Sequence, residues 1–421
     1  MRRPSNLGRA ALLHLAVLAY NPAVPATSPE TNPASRGAAD RCPGALRLIE
    51  AADGYLARVR LPGGLVTGDQ LRALADLAVK LGDGRVELTS RGNVQLRALP
   101  VGAAEPLTAA LTRAALLPSL DHDRVRNVIA SPLAGLDDLG SGRDLSAIVA
   151  ALDAELCARP RLAELPGRFL FAIDDGRGDV AGLDADVVAV VGGDDTVVNG
   201  LITGDAVSVM LAFAEAFLDE RAAAGSAAWR IADLPDGAGR IRGAVVGRFG
   251  LAPRPELPIP EAVTRPVGLV RRSVDGGGGV EPRFVTPDGL DSAVLLAPLG
   301  RLTSAQVTWL AARAAGRPAR ITPWRSVVLP DQPDAEAALA EAAGLGFGVD
   351  DRSPWLRVTA CAGRPGCASA LADVQADAAA FGARWPGRIV HVSGCGRHCG
   401  RPAATEIDVT ATSEGYQIAE V

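Results

Sequence analysis

Four of the six cysteines stand in two close pairs near the C-terminus, Cys361-x5-Cys367 and Cys395-x3-Cys399. Thiolates are the ligands of iron–sulfur clusters and of structural zinc, so such a quartet is a site for one inorganic group. Four-cysteine zinc sites ordinarily use pairs separated by two to four residues, and the five-residue gap counts against zinc. Disulfides fit poorly with a 421-residue chain holding six cysteines. A [4Fe-4S] cluster is the preferred reading, with zinc and unrelated structural cysteines as the alternatives.

The flanking residues say how four sulfurs would converge. Trp355–Ala360 and Arg388–Ser393 read as short strands, and Ala368–Trp385 between them is alanine-rich and helical in pattern. A right-handed crossover makes the two strands parallel. Both cysteine pairs then lie in loops at the same carboxyl edge of the sheet, where open α/β sheets bind ligands. Gly363, Gly366, Gly394, Gly396 and Gly400 let those loops bend tightly and aim N–H groups at sulfur.

A second chemical feature lies upstream. Reading Val86–Arg97 as one strand puts Glu87, Thr89, Arg91, Asn93, Gln95 and Arg97 on one face and Val86, Leu88, Val94 and Leu96 on the other. The polar face is either solvated or a ligand surface. An internal repeat frames it: Thr67-x-x-Gln70-Leu71 recurs as Thr303-x-x-Gln306-Val307, each a capping box opening a helix. Each helix leads to a strand ending in threonine, Val86–Thr89 and Ala319–Thr322, and each half opens on an apolar strand, Tyr55–Leu61 and Ala293–Leu299. The expected fold is α+β and duplicated.

We divide the chain into a leader, 1–40; a first ferredoxin-like half-domain, 41–105; a first α/β domain, 106–250; a proline-rich linker, 251–266; a second ferredoxin-like half, 267–332; and a cluster-bearing domain, 333–421. The linker carries five prolines between Leu251 and Pro266. The leader imitates a secretory signal, with Arg2-Arg3, an apolar run and Ala23-Val-Pro-Ala26. An oxygen-sensitive cluster belongs in the cytoplasm, so we read it as a disordered or misassigned leader, which mass spectrometry of the mature N-terminus would test. Net charge is −5, which argues against a general nucleic-acid surface, and nothing requires a membrane. Lys80 is the only lysine among 43 basic residues, so arginine placement says more than arginine count.

These motifs resemble those of the sulfite and nitrite reductase superfamily. The C-x5-C and C-x3-C pairs are similar to its [4Fe-4S] motif, Thr89-Ser-Arg-Gly-Asn-Val-Gln95 to its T-x-R-x-N-x-Q stretch, and Arg126-Asn-Val128 to its RNV segment. The likeness runs from about residue 45 to 421. It implies a duplicated reductase-like architecture, two ferredoxin-like half-domains with two α/β domains, and arginines that bind the carboxylates of a tetrapyrrole. Reductases of sulfite or nitrite carry a lysine-rich stretch after a Leu-Pro pair. Here Leu165-Pro-Gly-Arg168 has arginine near one lysine position and leucine at the other. The shorter precorrin-3B synthase branch, with a start like Arg41-Cys42-Pro43-Gly44 and a strand like Thr322-Pro-Trp-Arg325, is the nearer resemblance.

That resemblance implies an oxygen-dependent hydroxylation and γ-lactone formation on precorrin-3A in cobalamin biosynthesis, with dioxygen as co-substrate. Arg91, Asn93, Arg97, Arg126, Arg168 and Arg325 are the implied substrate-binding residues. It also implies a mononuclear non-haem iron, whose candidate ligands are His122, His391 and His398, since His14 lies in the leader. No G-x-G-x-x-G stands between a strand and a helix, and Gly276–Gly279 reads as a hairpin loop. An external NAD(P)H-linked ferredoxin or flavin reductase is therefore the expected electron source. The rivals are a sirohaem-dependent sulfite or nitrite reductase and a non-enzymatic cluster or zinc protein.

Overall fold

Two capping boxes start the helices on which the fold is built. In the computed structural model, which describes residues 42–192, 195–253, 267–270 and 291–421, Thr67 Oγ1 accepts the Gln70 amide at 3.2 Å and Gln70 Oε1 accepts the Thr67 amide at 3.0 Å. The same pair of bonds joins Thr303 and Gln306. These satisfy orphan amides at the starts of α1 (Gly68–Leu81) and α6 (Ser304–Arg313). The two helices pack closely because Gly68 lacks a side chain: a Cβ there would lie 2.5 Å from the Ala311 carbonyl. Leu71 and Leu74 from one and Val307 and Leu310 from the other are buried in a single core. Full burial of each leucine contributes about 1.5–3 kcal/mol.

Each helix covers a five-stranded sheet, and the halves exchange strands. The first sheet runs β1 (Ile49–Ala51), β2 (Gly54–Val59), β5 (Val94–Leu99), β4 (Arg85–Leu88), and then β13 (Arg301–Thr303) from the second half. The other runs β11 (Gly268–Val270), β12 (Asp291–Leu296), β15 (Ser326–Gln332), β14 (Ala319–Ile321), and then β3 (Leu65–Val66) from the first half. The two ferredoxin-like halves are thus one interlocked unit. Its core also takes in Leu107, Leu111, Leu116 and Leu117 around α2 (Ala104–Arg113) and Ala342 and Phe347 around α7 (Ala335–Gly344). The divisions expected at 105/106 and 332/333 therefore fall inside this core, because an amphipathic helix following the last strand still has to bury its apolar face.

A third sheet, β6 (Val128–Ala130), β7 (Phe171–Asp174), β8 (Val187–Val191), β9 (Thr196–Val198) and β10 (Leu201–Thr203), is parallel across β6, β7 and β8. Its core is shared with α3 (Ser146–Cys157), α4 (Ala206–Ala223) and α5 (Gly237–Phe249) and is centred on Phe169, Phe171 and Phe217. The fourth sheet holds β16 (Val358–Ala360), β17 (Val390–Ser393), β18 (Ile407–Thr412) and β19 (Gly415–Glu420), with α8 (Val374–Arg384) packed on β16 and β17. β16 and β17 are parallel, as the crossover expectation required.

Two expected strands are turns. Val86–Arg97 is a hairpin, broken at 89–93, where the Thr89 hydroxyl accepts the amides of Arg91 and Asn93 and Gly92 takes φ 65°. Thr322–Arg325 is the same turn in the second half: Thr322 Oγ1 accepts the amides of Trp324 and Ser326, and Arg325 takes φ 61° where the first copy has glycine. The leader, most of the proline-rich linker and the Gly276–Gly279 loop lie outside the described residues. Among the described residues, no helix is long and apolar enough to cross a membrane.

Candidate cluster and arginine site

The two cysteine loops meet at the carboxyl ends of β16 and β17. Cys361 continues β16, its amide donating to the Val392 carbonyl at 3.1 Å, and its Sγ accepts the Gly394 amide at 3.1 Å. Leu371 N donates to Gly394 O at 2.8 Å, which ties the loops together. Gly394 has to be glycine, since a Cβ would sit 2.7 Å from Ala370 Cβ and 3.5 Å from Cys361 Sγ. Cys361, Cys367 and Cys395 are half-buried and Cys399 is exposed. Burial pushes the Cys399 thiol up, and the other three cysteines of the quartet push it further, so all four lie within one another's field.

Four thiolates on one tetrahedral zinc, with Zn–S of about 2.3 Å, lie roughly 3.8 Å apart. Among the described residues, the only cluster of three or more ligating atoms within 4.8 Å of one another is Asp174, Asp175 and Asp179. No three of the cysteine sulfurs lie within 4.8 Å of one another, so they are not closed around a single ion. A thiol-rich donor set with an amide already directed at one sulfur fits a [4Fe-4S] cluster, with Cys361, Cys367, Cys395 and Cys399 to hold it.

A cationic site is built from the ends of β2 and the 89–93 turn. Burial pulls the Arg91 guanidinium down to about 10, and the charges of Arg230, Arg168 and Arg58 pull in the same direction. Burial likewise pulls Arg60 to about 9, with Arg58 adding to it. Arg58 is also lowered by burial. Arginine keeps its proton at neutral pH, so these depressions register buried positive charge that lacks a compensating anion. Arg60 is 2% exposed and its Nε and Nη1 atoms have no hydrogen-bond partner, while its Nη2 reaches the Pro43 and Arg124 carbonyls. Cys42 lies near enough to Arg58, Arg60 and Arg91 to act electrostatically on all three. Sequence reasoning missed Arg58 and Arg60; the signal was two arginines, two residues apart, on a strand whose other face is Ala57, Val59 and Leu61.

The remaining expected substrate residues divide. Arg168 stacks over the Trp229 ring at 5.3 Å and stands beside Arg91. Arg325 is pulled down by burial and eased by Glu87. Arg97 and Arg126 depart from the expectation: Arg97 forms a bidentate pair with Asp53 and donates to Gly366 O, and Arg126 forms one with Asp153 and donates to Leu116 O. Both forks are occupied by the protein itself. Asn93 is buried and accepts the Leu61 amide, so it braces the β2 end and does not line the site.

A nitrite/sulfite reductase ferredoxin-like half-domain model matches residues 49–114. The precorrin-3B synthase of a Sinorhizobium species is 28% identical over 398 residues, covering 89% of this chain and 81% of that protein. The ferredoxin–nitrite reductase of Synechococcus elongatus is 27% identical over 398 residues, covering 84% and 75%. Over most of its length the chain is similar to a nitrite reductase and to a precorrin-3B synthase, and its first half-domain matches the nitrite/sulfite reductase model. The solved structure of the Mycobacterium tuberculosis NirA protein shares the fold, with a TM-score of 0.65 at 22% identity, over 86% of this chain and 73% of that one. These relatives are named as enzymes, which supports an enzymatic role for this chain.

The arginine site holds no lysine. Lys80, the only lysine in the sequence, sits exposed on α1 and pairs with Asp76 at 3.0 Å. The expected second-iron histidines do not meet. Both ring nitrogens of buried His122 are engaged, by Ser119 and by the Arg159 carbonyl. His391 on β17 bonds Thr359 and lies beside Asp408, to which His398 and Arg401 also turn, but these atoms do not converge within the span of one ion. Arg401 donates to Asp408 Oδ2, while Asp408 Oδ1 and His391 Nε2 are buried without a hydrogen-bond partner.

The aspartate trio is a loop brace. Asp174 accepts the amides of Gly176, Gly178, Val180 and Ala181, and Asp175 pairs with Arg177. Burial pushes Asp179 up to about 7, from an ordinary 3.8. A raised carboxyl contributes stability that is complete below the unfolded pKa and lost as pH rises through the folded one. Relative to Asp179→Asn, the wild type is therefore expected to lose on the order of 4 kcal/mol between pH 4 and 8. Denaturant midpoints across that range check it, and parallel profiles for the two proteins refute it.

Proposed function

We propose that this chain is an oxygen-dependent oxidoreductase of the precorrin-3B synthase kind, acting on precorrin-3A in cobalamin biosynthesis in the cytoplasm. The observation that carries the proposal is a buried arginine group, Arg58, Arg60 and Arg91, that is short of negative charge and has no lysine beside it. A flat macrocycle edged with carboxylates supplies the missing anions, and the planar guanidinium fork pairs with a carboxylate through two hydrogen bonds. Arg91 binds a substrate carboxylate, Arg60 adds positive charge from the buried layer beneath it, and Arg168, fixed over Trp229, orients a second. Held this way, one edge of the macrocycle is immobilised and its meso carbon is presented in a fixed register for oxygen insertion.

Cys361, Cys367, Cys395 and Cys399 would hold a [4Fe-4S] cluster, which would pass electrons singly; placing one oxygen atom in substrate and releasing the other as water takes two electrons and two protons. The donor is an external NAD(P)H-linked ferredoxin or flavin reductase. The competing reading, reduction of sulfite or nitrite on sirohaem, needs proton delivery to a bound oxyanion. The site holds no lysine for that step.

The test is anaerobic purification with iron, sulfide and haem analysis, followed by incubation with precorrin-3A, a reductant and labelled dioxygen. One labelled oxygen in the product is expected. Stoichiometric sirohaem with turnover of nitrite or sulfite, or a product without label, overturns the assignment.

A further inference from the structure

Resting on the cluster reading above, we infer that the first sheet brackets the first cysteine loop through two arginines, and that Arg97 and Arg301 are positioning residues for the cluster. Neither arginine touches sulfur. Arg97, on β5, is 8% exposed, fixed by Asp53 through bonds of 3.1 Å from Nε and Nη2, and its Nη2 also donates to Gly366 O at 2.8 Å. Gly366 immediately precedes Cys367. The contact is close enough that a Cβ on Gly366 would lie 2.6 Å from the guanidinium. One end of the loop is thereby seated on the sheet.

The other end is held two strands away. Arg301, on β13, donates to Gln375 Oε1 of α8, and Gln375 Nε2 donates to the Cys361 carbonyl at 3.2 Å. Arg301 is itself oriented by Glu87 and Asp83, each at 3.3 Å. Register aligns Arg301 with Glu87, Glu87 with Gln95 and Gln95 with Arg58. The side chains follow that row: Arg58 donates to Gln95, and Gln95 donates to Glu87. One polar row thus runs from the arginine site to the backbone of the first cysteine. The strand exchanged from the second half is what brings Arg301 into it.

A loop pinned at both ends keeps Cys361 and Cys367 aimed at one point before any metal arrives, which is the role outer-shell hydrogen bonds play around metal ligands. Gln95 and Glu87 also find a role in this row, carrying the sheet's rigidity across to β13 without needing a ligand of their own.

The experiment uses the full-length, anaerobically purified holoprotein as wild type, Arg97→Lys and Gln375→Leu. It measures iron release to a chelator, the EPR signal of the reduced cluster, and melting temperature. Both variants are expected to retain the wild-type melting temperature, release iron about tenfold faster and show a changed EPR signal, the scale set by loss of one hydrogen bond involving a charged group or its partner. Wild-type release and EPR in both variants overturn the bracket. An effect in only one variant refutes the two-armed form. Faster release that merely follows a lowered melting temperature, with the EPR signal unchanged, refutes a positioning role. A wild type that holds no iron overturns the cluster reading itself, and that outcome is visible before any variant is compared.

Discussion

Cys361→Ala is expected to lose its iron and acid-labile sulfide together, with metal affinity falling by more than about 100-fold, because loss of an outer-shell partner alone costs 10–100-fold. Cys361 is the most constrained of the quartet: its amide extends the sheet, its Sγ takes the Gly394 N–H, and its carbonyl is held by Gln375. Removing the sulfur leaves three thiolates whose mutual field already opposes ionisation at Cys399. The internal controls are the two cysteines outside the quartet. Cys157→Ala is expected to leave iron content unchanged, since that thiol packs against the core of the third sheet and burial pushes it up and away from thiolate character. Cys42→Ala is expected to do the same, since its surroundings are the arginines and not the cluster loops. Iron loss in either control, or iron retained in Cys361→Ala, would contradict the assignment of the quartet.

What could be read from the chain alone followed from how local each signal is. The capping boxes at Thr67 and Thr303 are closed within four residues, so their sequence determines them completely. The cysteine loops and their parallel strands are nearly as local. The hairpin at 89–93 was hidden because alternation is correct within β4 and within β5, and the break between them conserves the parity of the pattern. Its signature, Ser-Arg-Gly-Asn, is ordinary turn chemistry. The exchange of β3 and β13 has no local signature at all. Nor does the state of an arginine: Arg97 and Arg126 are spoken for by carboxylates 44 and 27 residues away in sequence. Arg58 and Arg60 stayed unnoticed because a charged pair on a strand reads as a solvated face until its burial is known. The same ignorance of long-range packing placed domain boundaries inside a shared core, where α2 and α7 still had apolar faces to bury.

The arginine site makes the second large prediction, one in which stability and binding move in opposite directions. Arg91 is buried among like charges, and the fall of its pKa to about 10, caused first by burial and then by Arg230, Arg168 and Arg58, is the mark of a charge the ligand-free protein does not neutralise. Methionine matches the volume and flexible stem of the aliphatic part of arginine without the charge. Arg91→Met is therefore expected to stabilise the ligand-free protein by about 1 kcal/mol, as replacing uncompensated buried charge commonly does. The same change should weaken binding of a polycarboxylate porphyrin by about 10–100-fold, the worth of a charge-assisted hydrogen-bond pair. Arg91→Lys separates charge from geometry: it keeps the cation, loses the fork, and is expected to bind with intermediate affinity without the gain in stability. Denaturant midpoints and a fluorescence-quenching titration measure the two effects on the same samples. A destabilised Arg91→Met that binds the porphyrin normally would mean that Arg91 serves the fold alone, and the tetrapyrrole site would then have to be sought elsewhere in the protein.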